Sequence, residues 1–161
     1  MIPPKKRHDP AVAYAKAAKF CAYQERSRRE VLDKLRDLGL TPDESATVLE
    51  RLESENFVNE ERFVSAYVGG KFRMKRWGRT KIRQGLRAHG VSDAAVRAGL
   101  GELSDDDYRA ALDKLATQKA ATLSPDLEPL KRKQKLVTYL MGRGYESDLI
   151  WPTVERILSD A

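Results

Sequence analysis

The chain has 161 residues, 34% charged and 41% apolar, which is typical of one soluble domain or of several small stacked helical units. No apolar run approaches the roughly 18 residues of a membrane span, and the basic start is not followed by an uninterrupted apolar segment. We therefore expect a cytoplasmic protein with no membrane association. Its single cysteine and two histidines exclude an internal disulfide and any zinc site of familiar spacing.

Apolar residues recur at intervals of three and four in nearly every window, which predicts an all-α fold. We expect a first helix over residues 10–23. A capping box of Ser27 and Glu30 begins the second helix, which ends at Gly39. Thr41, followed by proline and early acids, begins the third helix.

The helix-glycine-helix pattern then recurs twice, at successive shifts of 51 residues (first to second copy) and 54 residues (second to third copy). A unit of about 50 residues is too short to bury its apolar face alone, so we predict three tandem three-helix repeats stacked into an elongated, curved array. We place a basic tail at 1–9 and repeats at 10–58, 59–103 and 104–161. Pro152 should make its helix locally irregular. The shifts superpose Leu35, Leu86 and Leu140; Gly39, Gly90 and Gly144; Leu40, Val91 and Tyr145; Leu49, Leu100 and Val154; and Leu52, Leu103 and Ile157.

Motifs of the common enzyme classes are missing from the sequence. It contains no nucleophile elbow, phosphate-binding loop or dinucleotide fingerprint. Cys21 lies on an apolar helical stripe, which favours a core role over a nucleophile. His89 precedes Gly90 at a helix end, which favours capping over catalysis. We therefore predict no enzyme activity and no cofactor.

Positive charge is concentrated in one segment. Residues 71–87 carry +8 with no acid, so the rest of the chain carries −2 of the total of +6. Such a block indicates an anionic partner, although a solvated basic face is the alternative. Arg79, Arg83 and Arg87 form a stripe at helical spacing, and Arg83 aligns with apolar residues in the other repeats. The full set of predicted contact residues is Arg73, Lys75, Arg76, Arg79, Lys81, Arg83 and Arg87, with Lys131, Arg132 and Lys133 in the third repeat.

Two features in and around this segment leave alternatives open. Trp77 lies among the cations and suits either a stacking contact or the core between repeats. The helix-glycine-helix units also match DNA-binding helix-turn-helix motifs. The second helix of such a pair carries mainly acids in repeat 1 and only Arg97 as a cation in repeat 2, which argues against insertion into the major groove.

Several spaced motifs in this order resemble the bacterial RecX regulatory proteins. They are SRREVLDKL at 27–35 with Gly39, LERL at 49–52, FVNEERF at 57–63, and GRTKIRQGL at 78–86 with Gly90. The resemblance spans about residues 11–161 and is strongest over 27–91.

The resemblance implies a modulator of DNA recombination, repair and the SOS response that binds the RecA recombinase on single-stranded DNA. Such a protein lies along the filament groove and inhibits the recombinase's ATPase and strand exchange. Arg79, Lys81, Arg83 and Arg87 then become candidate contacts with the RecA filament. We expect a monomer whose binding to single-stranded DNA is weak or occurs through the filament. The alternatives are a general DNA-binding helical module that acts without a recombinase, and a structural adaptor for another partner.

Overall fold

The computed structural model describes residues 7–160, and every regular element in that range is an α-helix. The predicted all-α fold is thereby confirmed. The nine helices within the described range are α1 (Pro10–Tyr23), α2 (Arg28–Asp37), α3 (Pro42–Ser54), α4 (Glu60–Lys75), α5 (Arg79–Ala88), α6 (Asp93–Leu100), α7 (Asp105–Thr122), α8 (Pro129–Gly142) and α9 (Ser147–Ser159).

The predicted helix starts lie where the capping residues are. The Ser27 side chain accepts a hydrogen bond from the Glu30 N–H, and the Glu30 carboxylate accepts one from the Ser27 N–H. Thr41 and Glu44 form the same capping box at α3. The Thr41 N–H, as the largest influence, lowers the pKa of the Glu44 carboxyl. Each box satisfies N–H groups that a helix start leaves unpaired.

One glycine follows the second helix of each sequence repeat, and all three glycines have a left-handed backbone conformation. Their φ angles are 87° at Gly39, 77° at Gly90 and 96° at Gly144. A residue with a Cβ is disfavoured at such angles, so glycine suits the position directly after a helix. The glycines that define the repeat in the sequence are thus its helix-ending residues.

Among the described residues, two compact units can be distinguished. Unit 1 comprises 7–66 and 86–96, and in it α1, α2 and α3 pack around a core that includes Leu35, Leu49 and Leu52. Unit 2 comprises 67–85 and 97–160, and in it α7, α8 and α9 pack around a core that includes Tyr108 and Leu140. Helices α4, α5 and α6 contribute residues to both units. The middle repeat of the sequence is therefore divided between the two compact units.

The structure bears on two predicted features, the N-terminal tail and Pro152 of α9. Residues 1–6 of the predicted tail lie outside the described range, whereas 7–9 are bound within unit 1. There, Arg7 pairs with Glu44 at 2.8 Å, and the Asp9 carboxylate caps α1. The local irregularity expected at Pro152 stays a prediction: α9 runs through the proline, which has no N–H to donate to the Asp148 carbonyl one turn earlier. Asp148 and Pro152 are both exposed, so solvent can hydrate the carbonyl that the proline leaves without an N–H.

No helix within residues 7–160 is long and apolar enough to cross a membrane. In the same range, no group of three or more His, Cys, Asp or Glu residues is placed to hold a metal ion. Cys21 is buried in the core of unit 1, and burial raises the pKa of its thiol. A thiol of this kind is a weak nucleophile at neutral pH, in keeping with its predicted core role.

Candidate partner-binding surface

The basic segment bends sharply between α4 and α5, within unit 2. Helix α4 ends at Lys75, and Arg76 has a φ of 57°, a left-handed angle that a residue other than glycine seldom adopts. The Trp77 N–H then donates to the Lys71 carbonyl at 3.0 Å, which closes the turn. This turn brings the cations at the end of α4 and those at the start of α5 to one corner of the unit.

Helix α5 begins against the turn that joins α8 and α9. The Gly78 N–H donates to the Arg143 carbonyl at 2.8 Å, and the Thr80 N–H donates to the Gly144 carbonyl at 2.9 Å. Between them, the Arg79 N–H donates to the Tyr108 hydroxyl at 2.9 Å. These successive N–H groups are satisfied inside unit 2, so a helix start that would otherwise attract anions is already occupied.

Arg79 is held by its own unit. Its guanidinium lies 3.8 Å from the centroid of the Tyr108 ring and pairs with Asp105 at 2.8 Å and Glu146 at 3.0 Å. Burial lowers the pKa of Arg79, but the hydrogen bond and charge of Glu146 outweigh it and the pKa is raised. Only 21% of the side chain is exposed, so the structure gives this predicted contact residue an internal partner set.

Two tyrosines form the other side of this network. The Tyr108 hydroxyl donates to Glu146, and the Tyr108 ring stacks on Tyr145 with centroids 5.1 Å apart. Burial is the main cause of the raised pKa of both phenols, to about 12 for Tyr145. The Tyr145 hydroxyl donates to the Arg76 carbonyl at 3.2 Å and so supports the turn directly. The Arg143 guanidinium, which also donates to the Lys75 carbonyl, supports it from the other side.

Trp77 lies among cations and not among the apolar residues of either core. The Lys71 and Lys81 ammonium groups each lie 4.8 Å from the centroid of its ring, and Lys71 lies 5.3 Å from that of Tyr67. The indole is half-buried. Cation–π attraction fixes the two ammonium groups beside the ring, so Trp77 organises the positive charge of the turn.

Several predicted contact residues around the turn have no carboxylate within ion-pair distance in residues 7–160. Arg73 and Lys75 are exposed, and Lys81 and Arg83 are half-exposed. The Arg76 guanidinium donates to the neutral Gln118 amide at 2.9 Å. We call this set the basic turn surface: Arg73, Lys75, Arg76, Lys81 and Arg83.

The remaining predicted contacts lie apart from this set. Arg87 belongs to unit 1 and pairs with Asp93 at 3.3 Å. Lys133 pairs with Glu155 at 3.0 Å and lies near the Trp151 ring. Lys131 is exposed, and the half-buried Arg132 has an Nε that finds no hydrogen-bond partner in the described part of the chain. Sequence reasoning missed Arg143, although it precedes Gly144 as His89 precedes Gly90.

Family models of the first, second and third three-helix domains of RecX match residues 13–52, 59–100 and 105–154, respectively. The chain belongs to the RecX family. The three matches also confirm the three tandem three-helix domains predicted from the sequence repeats.

Curated relatives match almost the full chain. The regulatory protein RecX of Prosthecochloris aestuarii is 31% identical over 94% of this chain and 97% of its own. That of Chlorobaculum tepidum is 30% identical over 89% and 87%, and that of Clostridium acetobutylicum is 28% identical over 92% and 70%. All three relatives are named as regulatory proteins.

A solved structure shares the fold. The crystal structure of RecX from Lactobacillus salivarius superposes with a TM-score of 0.82, covering 92% of this chain and 96% of its own at 23% sequence identity. At 23% identity the superposition shows a shared fold alone. The RecX family resemblance drawn from the spaced motifs of the sequence is confirmed by the family matches and the relatives.

Proposed function

We propose that this protein regulates a RecA recombinase filament, and that it inhibits the filament's ATPase and strand exchange through the basic turn surface. Membership of the RecX family supports a regulatory role, and the missing enzyme motifs agree with it. The proposal places the protein in the cytoplasm, acting as a monomer in recombination, repair and the SOS response.

The unneutralised charge of the basic turn surface carries the proposal. Like charges repel one another, and helix residues of one sign three or four positions apart destabilise the helix slightly. Arg83 lies four residues after Arg79 in α5 and has no carboxylate within ion-pair distance in residues 7–160, whereas Arg79 has two acids. A partner that supplies negative charge removes this repulsion, as a nucleoprotein filament does.

Inhibition needs no catalytic residue in the regulator. A protein that binds one state of a filament better than another shifts the filament toward that state by its difference in affinity. A regulator bound to the state of low turnover therefore reduces ATPase and strand exchange together. The basic turn surface supplies the attraction, and the contacts of Gly78, Thr80 and Tyr145 fix the backbone of the turn, so binding needs to order only its side chains.

The test is the single-stranded-DNA-dependent ATPase of the cognate RecA, titrated with this protein at fixed moderate salt and with DNA in excess. Lys75→Glu combined with Arg83→Glu should raise the amount of protein needed for half inhibition at least tenfold. The matched control combines Lys16→Glu with Lys19→Glu, two exposed α1 residues with the same change in charge. It should inhibit like the unaltered protein. Full inhibition by the turn variant would contradict the proposed surface.

A general DNA-binding module that acts without a recombinase, the first alternative, predicts a different result for the unaltered chain and its variants. A module of that kind binds duplex DNA with sequence preference and steep salt dependence, and has no effect on ATPase once DNA is in excess. Fluorescence anisotropy with labelled duplexes of varied sequence measures this affinity directly. The adaptor alternative predicts neither DNA binding nor any effect on RecA.

A further inference from the structure

A second positively charged site lies in unit 2, in a groove between α7 and α8. Its volume is about 440 Å³, within the range of pockets that hold small ligands. Two lysines contribute charge, and the lining contains no acid. The residues that line it are Lys119, Leu123, Gln134, Lys135, Thr138 and Tyr139.

The groove combines an apolar wall with fixed charge. Leu123 and Tyr139 are half-buried, and the Lys119 ammonium lies 4.9 Å from the centroid of the Tyr139 ring. The ring attracts this ammonium and keeps it at the groove. Gln134 and Thr138 are exposed beside it and can both donate and accept hydrogen bonds.

A chain of contacts links the groove to the basic turn surface within the same unit. The Arg76 guanidinium donates to the side chain of Gln118, the residue before Lys119. The Arg143 guanidinium, from the residue that follows α8, donates to the Lys75 carbonyl. Arg76 of the basic turn surface is therefore held against α7 one residue before the groove residue Lys119, so one flexible anionic strand can contact both sites.

Helix α8 carries a further lysine one turn before the lysine that it contributes to the groove. Lys131 and Lys135 are both exposed and lie four residues apart in α8, an axial rise of about 6 Å. Successive phosphates of an extended single strand have a similar spacing. A strand with one nucleotide in the groove and a phosphate at Lys135 can therefore place the adjacent phosphate near Lys131, which lies outside the groove lining.

We propose that this groove is a subsite that binds one nucleotide of a single-stranded nucleic acid. The proposal rests on the proposed function and identifies the nucleic acid strand as the anion that binds this face of unit 2. Lys119 and Lys135 bind the phosphates that flank the nucleotide. The base lies against Leu123 and Tyr139, and its polar edge meets Gln134 and Thr138. Stacking on an aromatic wall tolerates any base, so the subsite needs no sequence preference.

An acidic protein segment fits the groove less well. Carboxylates satisfy the two lysines, and peptide groups can pair with Gln134 and Thr138, but acidic side chains offer no flat apolar face to the wall of Leu123 and Tyr139. A nucleotide presents anion, flat apolar face and polar edge together. Competition by polyglutamate, which has the charge without the base, distinguishes the two occupants.

The test uses the full chain without recombinase, titrated into a fluorescein-labelled oligothymidylate and followed by anisotropy at several salt concentrations. Lys119→Glu combined with Lys135→Glu should weaken binding at least tenfold and lower the slope of log affinity against log salt by about 1.4, since each phosphate contact contributes about 0.7. The control with Lys16→Glu and Lys19→Glu should bind within about threefold of the unaltered chain, since changing two exposed lysines alters the surface field only modestly.

The base contact is tested with an abasic oligonucleotide of equal length. The unaltered chain should bind it several-fold more weakly than oligothymidylate, because base–aromatic contacts contribute about 1–3 kcal/mol per base. Equal affinity for the two strands, equal loss in both lysine pairs, or polyglutamate competing as strongly as oligothymidylate would overturn the subsite.

The two proposals fail separately. If the groove variant binds oligothymidylate normally while the turn variant loses ATPase inhibition, the subsite is wrong and filament regulation stands. If the groove variant loses strand binding while neither variant alters the ATPase, the subsite stands and filament regulation through the basic turn surface is wrong.

Discussion

Gly78 and Gly144 approach so closely that neither position has room for a side chain. A Cβ on Gly78 would fall 2.5 Å from the Tyr145 backbone nitrogen, and one on Gly144 would fall 2.7 Å from the Lys81 backbone nitrogen. Backbone atoms cannot move aside as a flexible side chain can. This contact fixes the α4–α5 turn, and with it the basic turn surface, against the third repeat.

An equivalent junction occurs in unit 1 at the same repeat positions. Ser27 aligns with Gly78, and His89 aligns with Arg143, at the shifts of 51 and 54 residues. The His89 Nδ1 lies 3.3 Å from the Ser27 hydroxyl, and the Arg29 guanidinium donates to the Ala88 carbonyl. The end of each following second helix thus docks on the start of the preceding one. Repeat neighbours are joined by one recurring contact, as expected of a tandem array.

Gly144→Ala should destabilise the protein by about 2–4 kcal/mol, because it adds a steric overlap to an unfavourable φ of 96°. Urea denaturation followed by circular dichroism measures this loss. Gly70→Ala is the control in the same unit, since nothing lies within 4 Å of its added Cβ and it sits inside α4. It should stabilise by about 0.5–1 kcal/mol. Similar behaviour of the two variants would contradict the close approach.

Arg79→Gln should lower the free energy of unfolding by about 1–3 kcal/mol, since it removes the partner of Glu146 and uncovers the Tyr108 ring. Arg87→Gln removes an equal charge from an exposed pair with Asp93, which should change stability by at most about 0.5 kcal/mol. Thermal and urea unfolding of both variants give the comparison. If the Arg79 variant were as stable as the Arg87 variant, Arg79 would be available to a partner after all.

Alkaline pH should destabilise unit 2 through its buried phenols. The pKa of Tyr145 is raised from 10 to about 12 by burial, so above pH 10 the unfolded chain releases a proton that the folded chain keeps. Stability from this group is complete below pH 10 and falls as the pH rises toward 12. At pH 11 the loss approaches about 1.4 kcal/mol, one pKa unit.

Tyr145→Phe removes that titration and serves as the comparison. The unfolding free energy of this variant should fall less between pH 9 and pH 11 than that of the unaltered chain. At pH 9 the variant should be less stable, because it lacks the hydrogen bond to the Arg76 carbonyl. Other groups that titrate in this range, including the lysines, are common to both proteins and cancel in the difference. Parallel pH profiles would show that the Tyr145 phenol titrates normally.

Local features of the fold could be predicted because their causes are local. The Ser27–Glu30 and Thr41–Glu44 caps act over three residues, and a glycine directly after a helix has a conformational reason independent of the rest of the chain. The sequence repeat also allowed buried positions far apart in the chain to be predicted. The aligned Leu35, Leu86 and Leu140 are all fully buried, because equal positions in a repeat face equal neighbours.

The use of individual cations could not be predicted in the same way. Arg79 and Arg83 lie one turn apart in a single stripe, yet Arg79 meets Asp105 and Glu146, which are 26 and 67 residues away in the chain. No helical spacing indicates such partners. The division of the middle repeat between two compact units likewise depends on where α4, α5 and α6 pack, which the sequence pattern does not specify.

Glycine substitutions at Arg76 and at Asn56 can separate the effect of charge on inhibition from the effect of backbone geometry. It has a φ of 57° at the turn, and Asn56 has a φ of 65° after α3. Glycine at either position relieves the left-handed strain but makes the unfolded chain more flexible, so each substitution should alter stability by no more than about 1 kcal/mol. Only Arg76→Gly removes a cation of the basic turn surface.

The ATPase titration should therefore distinguish two variants of near-equal stability. Arg76→Gly is expected to need several-fold more protein for half inhibition, whereas Asn56→Gly should inhibit like the unaltered chain. Weakening by both variants would trace the effect to altered backbone and not to charge. Unchanged inhibition by Arg76→Gly would remove Arg76 from the contact surface, while the distinct Lys75 and Arg83 variant would still test the rest of it.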